Sequence, residues 1–136
     1  MTRTEVRWVL LPLKVILAFV LVGIAAGLIS ERLYIWWEPF AGFFAAIAVV
    51  SVAYICAPGR KLLVALAAFV LGGAIAYQML KDSYFPEGYA RAYEPTLMPF
   101  WLTLGGGLLA LATVAVHAFV KRRSPSNTSL EHAREI

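Results

Sequence analysis

Carboxylates are missing from every long apolar stretch of this 136-residue chain, and charge of either sign is scarce. Asp, Glu, Lys and Arg make up 15% of it, against about 25% in an ordinary soluble domain. There is one cysteine, Cys56, so neither an internal disulfide nor a dithiol redox cycle exists. The two histidines, His117 and His132, do not share an apolar run. That removes the ligand sets of a bis-histidine haem and of a zinc centre. No cofactor or metal is expected.

What fills the chain instead is hydrocarbon. Hydrophobic residues reach 61% and mean hydropathy is +0.75. A water-soluble domain this small has too much surface for its volume to hide that much apolar area. Four runs, at about 9–29, 39–57, 62–80 and 98–120, are long enough to cross a bilayer core of about 30 Å as helices. They are continuously apolar rather than alternating, which excludes barrel strands and leaves helices as the way to satisfy the backbone in lipid. The first run holds one charge, Lys14, and the fourth has His117 as its one titratable group. The basic n-region and Ala25-Ala26-Gly27 resemble a signal peptide, but the apolar run extends upstream through Trp8 to Leu13, so an uncleaved span is expected.

Pro39 and Pro99 stand where a first helical turn tolerates proline, and Pro58-Gly59 ends the second run. The expected fold is all-α: a polytopic up-down-up-down bundle of four transmembrane helices in residues 1–120. Residues 121–136 form a short basic tail, broken by Ser124-Pro125-Ser126-Asn127, with Thr128 and Glu131 placed for a capping box.

Charge sets the expected orientation. Nine of the twelve basic residues, Arg3, Arg7, Lys14, Arg60, Lys61, Lys121, Arg122, Arg123 and Arg134, fall on one side. The other side carries Arg32, Lys81 and Arg91 with Glu31, Glu38, Asp82, Glu87 and Glu94. Lys/Arg excess marks the cytoplasm, so both termini are expected inside a bacterial-type inner membrane. The net charge of +4 is thereby a topology signal, and no nucleic-acid partner is expected.

Three groups of residues stand out. Small residues at helical spacing offer packing faces: Gly23 and Gly27 in the first span, Ala68, Gly72 and Ala76 in the third, and Thr103, Gly106, Ala110 and Thr113 in the fourth. Such seams let backbones approach where lipid gives little other reason to associate. Lys14, Tyr54 and His117 share a depth near the cytoplasmic boundary and form a candidate polar cluster, although Lys14 can also carry its ammonium out to the headgroups. Outside, Tyr84, Glu87, Tyr89, Arg91 and Tyr93 make a candidate docking loop within an aromatic belt. The i,i+4 spacing of Glu87 with Arg91 and of Tyr89 with Tyr93 predicts a short surface helix over 86–93.

These absences shape the functional expectation. Small multidrug transporters of four helices carry a glutamate in the first, and this chain has none there. Small fluoride channels rely on a membrane Asn, and no span has one. The expectation is a non-enzymatic subunit or assembly factor of a larger membrane complex, with the bilayer and other membrane subunits, or a second copy, as partners. The alternative is a small homo-oligomeric channel or transporter with its pathway between subunits. An enzyme acting on lipid-linked substrates through His117, Lys14 and Tyr54 is the weakest reading.

Overall fold

The computed structural model describes residues 2–123. Four helices follow in order: α1 (Arg3–Arg32), α2 (Trp37–Cys56), α3 (Lys61–Leu80) and α4 (Met98–Arg123). All four are long and apolar enough to cross a membrane. The expected break at 124–127, the Thr128–Glu131 cap and the rest of the tail lie outside the described residues.

Two helices outrun their apolar stretches. Helix α1 starts at Arg3 rather than near Val9 because Thr2 and Glu5 cap it reciprocally. The Thr2 amide donates to Glu5 Oε2 at 2.7 Å, and the Glu5 amide donates to Thr2 Oγ1 at 3.3 Å. At 1.5 Å per residue the helix is about 45 Å long, beyond what the hydrocarbon needs. Helix α4 runs on to Arg123, with Lys121, Arg122 and Arg123 in its last turn, where the macrodipole favours cations. The first three residues of the expected tail are therefore helical.

The helices alternate in direction. Tyr77 meets Phe100, and Phe69 meets Gly107, so α3 and α4 are antiparallel. Gly42 faces Thr103 and Tyr54 faces His117, so α2 and α4 run parallel. Helix α2 touches α1, α3 and α4, whereas α1 touches α2 alone among the described residues. The bundle is therefore open on one side. Leu11, Ala26 and Ser30 are the buried residues of α1, and they lie on one face with the half-buried Val15, Ala18 and Val22. Val50, Ala65, Ala110 and Val114 form the centre, with Ile47, Tyr54, Phe69 and Leu111 packed against them.

The segment between α3 and α4 corrects one expectation. Residues 87–93 form turns interrupted by a bend at Tyr89, and no helix covers 86–93. Tyr84 and Pro95 pair in an antiparallel bridge, and Phe85 and Tyr93 bond across it through their backbones. Gly88 at φ +93° and Tyr93 at φ +65° reverse the chain inside the range where a helix needs negative φ throughout.

Candidate functional site

The polar residues gather at the two ends of the helices, with the apolar centre between them. At the basic end, α2 and α4 run side by side, and this sets the Tyr54 ring edge-on to His117 at 6.3 Å between centroids. Lys61, the first residue of α3, lies with its Nζ 6.0 Å from the Tyr54 centroid. Lys14 is elsewhere. It stands on α1, which has no contact with α4, so α2 separates it from His117. The structure thus divides the expected trio: Tyr54 and His117 meet, and Lys14 joins a different set.

That set lines a groove of about 360 Å³ made by Arg7, Lys14, Ile55, Cys56, Ala57, Pro58 and Lys61. It gathers three cations from two helices across the C-terminal end of α2. Sequence reasoning left Arg7 and Lys61 out of the site. Their signal was the basic run at each boundary, which read as topology alone.

At the opposite end, the loop folds back over the α1–α2 link. Trp36 is 8% exposed, with Phe85 at 5.4 Å and Tyr89 at 5.8 Å between ring centroids. Tyr89 therefore packs on Trp36 rather than pairing with Tyr93. Arg91 Nε donates to Glu94 Oε2 at 2.7 Å instead of reaching Glu87, and its guanidinium lies 5.9 Å from the Phe85 centroid. Tyr93 donates its hydroxyl hydrogen to Glu87. That bond, ahead of a smaller effect of burial, raises the Tyr93 phenol above its ordinary 10.0. Tyr84 is exposed at the loop's edge. A second cleft, of about 400 Å³, is lined by Lys81, Phe85, Arg91, Pro95, Thr96 and Leu97.

Glu38, one of the acids of the less basic side, gains a structural place. It lies in the first turn of α2, with one carboxylate oxygen buried and without a hydrogen-bond partner. Its place there complements the positive end of the helix. The Glu-Pro pair opening an apolar run was the available signal.

The small-residue faces differ in what they meet. Gly106 lies against the α2 backbone at Phe43, and a Cβ there would stand 3.1 Å from Phe43 Cα. Ala110 is buried beside it. Thr103 faces Gly42 and donates to Pro99 O at 2.8 Å. Thr113 is exposed, its hydroxyl turned back to Leu109 O. On α3, Ala68, Gly72 and Ala76 are half-buried, and the close contact falls to Gly73 against Leu104. Gly23 and Gly27 have open space where a Cβ would be.

Among the described residues, no three His, Cys, Asp or Glu side chains stand together as a metal site would need. Comparison with protein-family models, with curated proteins and with solved structures returned no significant match.

Proposed function

We propose that this chain is a small non-enzymatic integral membrane protein that serves as a subunit or assembly factor of a larger membrane complex. In this reading it sits in a bacterial-type inner membrane with both termini on the cytoplasmic side, an orientation supported by the nine basic residues on one side. One observation carries the partner reading. Helix α1 is held by α2 alone, and its Gly23-xxx-Gly27 pair is clear of its own chain. In lipid, helices associate through close backbone approach and side-chain packing, and a glycine pair at that spacing offers such an approach to a neighbour. Tyr54 and His117 meet edge to face at 6.3 Å between ring centroids, a contact that suits a packing role.

Photo-crosslinking in membranes tests this. A crosslinker at Ile24 or Leu28, which flank the glycine pair and are 58% and 60% exposed, is expected to capture one discrete membrane protein. The same probe at Leu71 on α3 is expected to capture lipid. Absence of any adduct at α1 refutes the reading. An adduct of the chain with itself would favour the homo-oligomeric alternative.

A further inference from the structure

We propose that the groove at the basic end holds the phosphate of an anionic membrane lipid. Its lining includes Arg7, Lys14 and Lys61 and no acid. Three like charges converging on one small volume repel one another unless an anion joins them. The one described acid at this end, Glu5, already takes the Thr2 amide in the α1 cap. Among the described residues, then, no carboxylate supplies a counter-charge to the groove.

The start of α3 adds to the same site. First turns favour acidic residues because the macrodipole is positive there, yet α3 opens on Arg60 and Lys61 with no side-chain cap. The Leu63 amide bonds back to Arg60 O, whereas the Lys61 and Leu62 amides lack a side-chain cap, and such amides beside cationic side chains suit a phosphate. The lipid source follows from position and from the walls. Lys14 lies just inside the apolar run, so its head reaches the headgroup level. Ile55, 67% exposed, gives an acyl chain an apolar flank beside the charged mouth. The cleft under the outer loop lacks this character, since its Arg91 is already bound by Glu94.

The proposal requires the four spans but not the partner reading, and its test uses the whole chain alone. The protein in mild detergent is titrated with phosphatidylglycerol, with phosphatidylcholine and with inorganic phosphate, and bound lipid is read by native mass spectrometry. Phosphatidylglycerol is expected to bind in preference to phosphatidylcholine. The pair Arg7→Gln and Lys61→Gln is expected to weaken it by about 30-fold, at the usual contribution per basic residue near a membrane surface. The pair Arg122→Gln and Arg123→Gln removes equal charge from the same end but neither residue lines the groove, so its loss is expected to be clearly smaller than that of the groove pair. Arg7→Lys with Lys61→Arg should restore binding, which separates charge from misfolding. Equal losses from the two Gln pairs, or no preference between the lipids, overturns the site. Binding of inorganic phosphate in place of phosphatidylglycerol overturns the lipid as its source.

Discussion

Gly106 of α4 lies directly against the backbone of Phe43 on α2, and the position leaves no room for a side chain. Its neighbour Gly105 meets nothing within 4 Å of where a Cβ would stand. Gly106→Ala is expected to lower stability by about 1–3 kcal/mol through overpacking, because the clash is with backbone and cannot be relieved by a rotamer change. Gly105→Ala should leave stability unchanged or slightly raised, since Ala is the better helix former. Thermal unfolding of both variants in detergent checks the contrast, and equal effects would refute it.

Trp36 anchors the α3–α4 loop. Its ring is buried against Phe85 and Tyr89. Trp36→Ala is expected to cost about 3–5 kcal/mol, as for other buried aromatic truncations. It should also free residues 84–93, so a protease added to purified protein is expected to cut at Lys81 or Arg91 faster than in the parent chain.

The Tyr93–Glu87 bond carries a pH signature. The hydroxyl must keep its proton to donate, so the folded loop favours neutral Tyr93 and its pKa lies above 10.0. A group whose pKa is raised on folding contributes stability that is fully present below its unfolded value. The contribution is lost as pH rises through the folded value. Loop order, read from Trp36 fluorescence, should hold up to about pH 10 and fall above it. Glu87→Gln should bring the Tyr93 phenolate transition, followed by ultraviolet absorbance, back toward the ordinary value. No change on substitution would mean that the bond does not hold the proton.

Orientation has a direct readout. In a Cys56→Ser background, Ala90→Cys in the α3–α4 loop should react with an impermeant maleimide on intact cells. Gly59→Cys in the α2–α3 turn should react only after permeabilisation. The reverse pattern would invert the topology and remove the cytoplasmic placing of the basic groove.

The helices were legible where hydrophobicity and helix share their limits. Helices α2 and α3 begin and end within a few residues of their apolar runs, because Pro39 and Pro58-Gly59 set boundaries that the chain obeys. Hydropathy marks where lipid begins, not where a helix does, and so the start of α1 escaped. The Thr2–Glu5 cap that sets it lies in a polar stretch. Over 86–93, i,i+4 pairs suggested a helix, but Pro86, Gly88 and the positive φ of Tyr93 prevailed, and the same side chains found other partners. The separation of Lys14 from His117 was not readable either. Depth along a helix can be counted from sequence, whereas which helices become neighbours depends on contacts such as Gly106 with Phe43.

That α2 alone contacts every other helix has a mechanical consequence. Among the described residues, a push on α1 from a neighbouring protein meets no helix but α2, so a displacement within the span is relayed through that central rod, and at the loop end through Trp36 against Phe85 and Tyr89. Stiffening or loosening that one rod would therefore set how strongly the two flanks of the molecule sense each other.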